Sequence, residues 1–206
     1  ILTRDWSSDV CSSDLKFIAL DVSEFDINSS FYKTDDKGNA TEELLDANNK
    51  PHVASNVYSA VYQEELCGYM AGYAAVKLGY TKLGFLGGMA VPAVQRYGYG
   101  FLQGADAAAA ELKAKVNVKY AYGNQFNGDP DITAAMDTWY AGGTQVVFAC
   151  GGGIFTSAAD AAKKVSGAKM IGVDVDQAGV INGYSGVEDM TVTSAMKGLA
   201  ATVKTM

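Results

Sequence analysis

The sequence predicts an α/β protein, with one complete parallel-sheet lobe and pieces of a second. Three observations carry this reading. Short apolar runs of strand length occur at Leu83, Phe85 and Leu86, at Val146–Cys150 and at Met170–Val173, each closed by glycine or aspartate. The stretches between them repeat apolar residues at spacings of three and four, the mark of a one-sided helix. Strand and helix alternate from Lys82 to Asp174, which is the order of a parallel sheet whose ligands bind at the carboxyl ends of the strands.

Lys16–Val22, KFIALDV, reads as a buried strand ending at Asp21. Ser23–Pro51 is a polar excursion with a short helix over Thr41–Ala47, capped by Thr41. Val53–Tyr58 is a second strand. Tyr62, Leu66, Tyr69, Tyr73 and Val76 mark a helix that stops near Gly79. The strand at Leu83–Leu86 ends in Gly87-Gly88. Pro92 then suits the first turn of a helix, whose face is Val94, Tyr97, Phe101, Ala105, Ala108 and Leu112. Val116–Tyr122 alternates as a half-buried strand. Asp129 caps a helix carrying Ile132, Met136 and Trp139. A helix over Phe155–Val165 follows the turn at Gly151–Gly153. Gln177–Gly186 reads as loop, Thr191–Ser194 as a strand and Ala195–Lys204 as a helix.

Residues 1–15 have no helical or strand period. Their DWSSDVCSSDL portion resembles the in-frame translation of a short sequencing adapter, so they are set apart as an artefactual leader. The abrupt start at Lys16 and the uncapped end predict missing sequence on both sides. The expected division is 16–58 as a partial N-terminal lobe, 59–176 as a C-terminal lobe and 177–206 as a crossover back to the first.

A net charge of −7 argues against a nucleic-acid footprint, and 49% apolar content is enough for a core. No apolar run is long enough to span a membrane. One histidine and no CxxC pair argue against zinc. Cys67 and Cys150 lie in apolar segments, and a Cys67–His52 pair lacks an oriented third member. Gly98, Gly100 and Gly104 match a phosphate loop only loosely and fall inside a helix, where they read as positions of close packing on a sheet.

The loops on the sheet's carboxyl edge carry Met89, Phe126, Gly151–Gly153, Asp174 and Asp176. Phe126, among Asn124, Gln125, Asn127 and Gly128, stacks on a ligand ring or anchors its loop. Asp174 accepts hydrogen bonds from vicinal hydroxyls or caps the next helix, a role also open to Asp176. The glycine run, centred on Gly152, offers amide donors or only makes the turn. No paired nucleophile and base and no metal cluster accompanies them, so the edge reads as binding rather than catalytic, with no cofactor.

Six motifs in order carry a resemblance: VYQEELCGYMAGYAA (61–75), KLGFLGGMAVPAVQRYGYGFLQGA (82–105), YGNQFNGDPD (122–131), FACGGGIF (148–155), IGVDVDQ (171–177) and TSAMK (193–197). Together they resemble the basic membrane lipoprotein family of ABC-transporter substrate-binding proteins, which includes purine-nucleoside receptors. The resemblance implies a type I periplasmic-binding-protein fold, with a nucleoside held between two lobes and an ABC permease as partner. It places the protein outside the cytoplasm, cell-surface or periplasmic, and at the membrane only through a lipid anchor outside this sequence. It implies that Phe126 stacks on the base, Asp174 binds the ribose hydroxyls, Lys197 approaches from the other lobe and Asp21 faces the base. The family's second aromatic plate would precede Lys16, so this stretch alone is expected to bind weakly.

Three alternatives stand beside it. Arg96, Gly100 and Phe101 fit the ligand-binding lobes of a LacI-like regulator. A sugar receptor of the same fold would use Phe126 in the same way. A nucleoside hydrolase would need an acid–base or metal cluster, for which Asp174 with Asp176 is the candidate.

Overall fold

Alternating side chains of one buried strand, β5 (Val146–Cys150), explain the layering of the larger part of the chain. Val146, Phe148 and Cys150 face one apolar cluster, and Val147 and Ala149 face another. The computed structural model describes residues 16–24, 26, 27 and 56–205. The leader, the 41–47 helix, His52 and the start of the 53–58 strand lie outside them. Two compact units divide the chain, one of Ile1–Tyr62 with Leu199–Met206, the other of Gln63–Gly198.

In the smaller unit, β1 (Phe17–Leu20) pairs in parallel with β2 (Val57–Ala60). The Asp21 amide donates to the Ala60 carbonyl at 2.7 Å, one residue beyond β1. The Tyr62 hydroxyl reaches Thr202 Oγ1 at 3.0 Å.

The larger unit begins with α1 (Glu64–Lys77), followed by β3 (Lys82–Gly87), α2 (Pro92–Leu112), β4 (Asn117–Tyr122) and α3 (Pro130–Ala141). After β5 come α4 (Phe155–Ala162), β6 (Lys169–Asp174), α5 (Ala178–Ser185) and β7 (Thr191–Met196), and α6 (Leu199–Thr205) belongs to the smaller unit. The sheet order is β4-β3-β5-β6-β7, all parallel. Pro92 sits in the first turn of α2, and Asp129 caps α3 by accepting from the Ile132 amide at 2.8 Å.

The chain departs from the sequence reading in three places. Residues 178–185 are helical although Gly179, Asn182 and Gly183 weaken helix propensity; burial of Ile181 against the sheet overrides it. β7 continues to Met196, because Val173 and Asp174 of β6 pair with Ala195 and Met196 where a helix was expected. Residues 177–198 therefore join the larger unit, and the crossover assignment for 177–206 does not describe them.

The third departure concerns the glycines of α2. Gly98 faces Tyr120 and Phe85 of the sheet, but Gly100 and Gly104 face α1. A Cβ at Gly104 would lie 1.9 Å from the Tyr69 carbonyl oxygen, and one at Gly68 2.1 Å from that of Tyr97. With Gly72 and Gly100 they form a seam on which two helix backbones touch. That contact brings the first turn of α1 beside Arg96 of α2.

Candidate functional site

Strand order decides where a site can form. β3 sends the chain to β4 on one side and then to β5 on the other, so the β3–β5 boundary is the switch point at which parallel sheets bind ligands. Three loops meet there. The Gly88 amide donates to the Cys150 carbonyl at 2.8 Å, Asn124 donates to the Gly88 carbonyl at 3.1 Å, and Asn127 bridges Gly153.

Phe126 lies over this boundary, half-buried. Its Cδ1 would meet a Cβ at Gly88 at 2.4 Å and at Gly151 at 2.9 Å, so the ring rests where two glycines make room. The ring is thus anchored at the turns yet still partly open to solvent. Gly152 is exposed in a left-handed conformation, φ 45°, beside the Phe126 carbonyl.

Asp174 stands on the same sheet edge, at the end of β6. Four non-glycine residues have positive φ among those described: Asp21 at 65°, Lys113, Asn124 at 59° and Asp174 at 66°. Two of the four, Asp21 and Asp174, directly follow or close a strand at its carboxyl end, and Asn124 lies two residues past β4 in the loop that carries Phe126. Strained conformations of this kind concentrate at ligand sites. Asp174 is not the cap of α5. Gln177 holds the N-cap position, and Asp176 just before it accepts from the Ala178 amide at 3.0 Å.

Lys197 comes to Asp174 from the same unit, not from the other lobe. Its amide donates to the Asp174 carbonyl at 2.7 Å, continuing the β6–β7 ladder, and its ammonium lies 3.3 Å from Asp174 Oδ1. The cause is the extra length of β7, which carries residue 197 alongside residue 174. The Lys197 side chain is 3% exposed, whereas that of Asp174 is 38% exposed. Asp21 belongs to the smaller unit.

Three further residues complete the cluster. Tyr97 stands edge-on to Phe148, with ring centroids 5.8 Å apart, and the Lys197 ammonium lies 5.4 Å from its ring. Its hydroxyl is 3.2 Å from the Ala195 carbonyl and 3.4 Å from Asp174 Oδ1. Burial, then the Asp174 carboxylate, pushes the Tyr97 phenol upward, so it remains a donor. Glu64, fully buried, accepts from Arg96 Nε at 2.5 Å and lies 3.5 Å from Lys197 Nζ. Little in the sequence marks Glu64, because acidic residues in a first helical turn suit the helix dipole of any helix. Only the glycine seam distinguishes it from half-exposed Glu65.

The edge therefore offers an aromatic plate, exposed backbone and a carboxylate oriented by a buried lysine and a tyrosine. Those groups can hold a flat ring and a pair of hydroxyls. Among the described residues no group of histidine, cysteine and acidic side chains could hold a metal ion, and no helix is long and apolar enough to cross a membrane.

A family model described as ABC transporter substrate-binding protein PnrA-like (Bmp) matches residues 16–206. An ABC transporter nucleoside-binding protein, BmpA of Lactococcus lactis subsp. cremoris, is 34% identical over 130 residues, 59% of this chain and 36% of that protein. Basic membrane protein B of Borreliella burgdorferi is 30% identical over 128 residues, 61% of this chain and 36% of that protein. The matched segment thus spans about a third of these relatives. Among solved structures, an ABC transporter solute-binding protein of Aeropyrum pernix K1 superposes with a TM-score of 0.55 at 17% identity, covering 78% of this chain and 40% of that one. The Escherichia coli transcriptional repressor ascG superposes with a TM-score of 0.50 at 16% identity, covering 82% and 60%. At such identities these two likenesses are of fold alone, the two-lobed type I binding-protein class.

Proposed function

The chain belongs to the Bmp family of PnrA-like ABC transporter substrate-binding proteins, and from that premise we propose that it binds a nucleoside, of purine type, at the carboxyl edge of the larger unit. The observation that carries the reading is Asp174: a half-exposed carboxylate in a left-handed turn, with Lys197 and Tyr97 fixing its orientation. Two adjacent ribose hydroxyls donate to its two oxygens, each bond charge-assisted and worth about 1.5–3 kcal/mol. Phe126 stacks on the base, adding about 1–3 kcal/mol. The exposed backbone at Gly152 lines the same edge. The chemistry is capture and release, not bond-breaking.

In this reading the protein acts outside the cytoplasm, tethered by a lipid anchor, and hands the nucleoside to an ABC permease. The test is calorimetry on the product of the complete gene. Adenosine, guanosine and inosine should bind, while free ribose and free base should bind far more weakly. Equal affinity for ribose and for the nucleosides would favour the sugar-receptor alternative instead.

A further inference from the structure

We propose that Gln177 is a positioning residue for this binding site: its side-chain amide holds β5 and β6 apart at their carboxyl ends and so keeps the strained turn that aims the Asp174 carboxylate at a diol. The inference rests on the nucleoside reading above. Pairing between β5 and β6 ends at Phe148–Ile171, although β5 runs on to Cys150 and β6 to Asp174. The Lys169 amide donates to the Gln145 carbonyl at 2.8 Å, and a parallel ladder repeats that bond every two residues. Continued at that interval, the ladder would join the Val173 amide to the Ala149 carbonyl. The Val173 amide donates instead to Gln177 Oε1 at 2.9 Å, in a buried hydrogen bond. Gln177 is 9% exposed and packs onto the strand at Gly172, where a Cβ would lie 2.8 Å from its own. Ser194 Oγ of β7 accepts from the Gln177 amide at 3.0 Å and tethers the residue there.

The wedge bears on the turn at Asp174. The Val175 amide donates to the Val173 carbonyl at 2.7 Å across Asp174, whose φ is 66°. A bond of that span around a positive φ closes the rare, strained form of the γ-turn. The turn redirects a side chain. Successive residues of a strand face opposite sides of the sheet. Ile171 and Val173 face the cluster that holds Tyr97, so a regular strand would send residue 174 to the other side. Asp174 Oδ1 nevertheless lies 3.4 Å from the Tyr97 hydroxyl. Strain of this kind persists only where the surroundings over-determine the backbone. The Gln177 oxygen supplies that constraint one residue before the turn. Without it the Val173 amide closes onto Ala149, residue 174 relaxes to extended backbone, and the carboxylate leaves Tyr97.

The test uses the complete gene product as wild type, Gln177→Met and Ser194→Ala. Each is titrated by calorimetry with adenosine and with 2′,3′-dideoxyadenosine, which lacks the diol. Gln177→Met should weaken adenosine about tenfold and leave the dideoxy compound within about twofold. Ser194→Ala should show the same preference by a smaller factor, so a folding defect in Gln177→Met does not decide the matter. Equal losses for both ligands, or no loss for either, would overturn the proposal. A second readout needs no ligand. A positive φ favours glycine over alanine, so Asp174→Gly should have a higher urea midpoint than Asp174→Ala while Gln177 is present. In the Gln177→Met background that gap should close, and an undiminished gap refutes the positioning role. If wild type binds neither nucleoside, the ligand reading falls, and the urea midpoints alone judge Gln177.

Discussion

Lys197 is tied to Asp174 twice, by a 2.7 Å hydrogen bond from its amide to the Asp174 carbonyl and by a 3.3 Å ion pair between their side chains. The backbone bond fixes the register of β7 against β6, and the ion pair orients the carboxylate at the end of that register. The end of the β6–β7 pairing and the orientation of the Asp174 carboxylate are thus set by the same two residues.

Removing the lysine charge should therefore alter both binding and folding. Lys197→Met is expected to weaken adenosine by about tenfold, since a charge-assisted contact is worth about 1.5–3 kcal/mol. Its urea midpoint should fall as well, because the fully buried Glu64 Oε1 loses the ammonium 3.5 Å away, although the backbone bond survives. Parallel calorimetry and urea unfolding separate the two effects.

The glycine seam should act on folding. Gly104→Ala places a methyl 1.9 Å from the Tyr69 carbonyl oxygen, and backbone cannot move aside as a side chain can. The helices must part, at a cost of about 1–3 kcal/mol or more. The urea midpoint should fall by a corresponding amount, whereas Gly183→Ala, with open space around it, should leave the midpoint unchanged or slightly raised.

Phe126 is expected to contribute through its exposed face. Phe126→Leu keeps an apolar anchor over Gly88 and Gly151 but removes the aromatic plate. Nucleoside affinity should drop by about 1–3 kcal/mol, and Phe126→Tyr should retain most of it. Calorimetry on the two variants distinguishes stacking from simple loop anchoring.

Much of this was legible in the sequence, for physical reasons. Strands Val146–Cys150 and Lys169–Asp174 are buried on both faces, so they appear as unbroken apolar runs with glycine or aspartate at their ends. The edge positions of Phe126 and Asp174 follow from parallel order alone. What sequence could not give depends on tertiary contact. α5 has poor propensity and forms because Ile181 is buried. Ala195 and Met196 pair with a strand although their own preference is helical. Glu64 and Glu65 are chemically identical neighbours, and the α1–α2 contact alone determines which one is buried.

Acid should weaken the fold through three surface carboxylates. Hydrogen bonds from Lys77 and Tyr73 hold Glu111 below its ordinary pKa; one from Lys163, with Tyr184, does so for Asp160, and one from Lys169 for Asp189. Each folded value is depressed, so the unfolded chain takes up more protons as pH falls. The stabilisation is complete above the unfolded carboxylate values of about 4 and is lost as pH drops through the lower folded values. The urea midpoint should decline from about pH 5 to pH 3, less steeply in Lys169→Met; a midpoint that rises over that range would contradict the assignment.

Cys67 offers a chemical probe beside the cluster. Its thiol donates to the Met196 carbonyl at 3.1 Å, and burial, then Glu64 and Glu65, raises its pKa while Lys197 lowers it. Iodoacetamide at pH 8 should modify Cys67 more slowly than a free thiol, and more slowly still in Lys197→Met. Peptide mapping by mass spectrometry reads the rate at that cysteine alone.

The most direct test of the account is the affinity of the complete gene product for adenosine with and without Asp174→Asn, an isosteric change that removes the charge and turns one acceptor oxygen into an NH2 donor. The account predicts tight binding by wild type and a loss of at least about tenfold in the variant, with thermal unfolding unchanged. Undiminished affinity in a folded Asp174→Asn protein would contradict it.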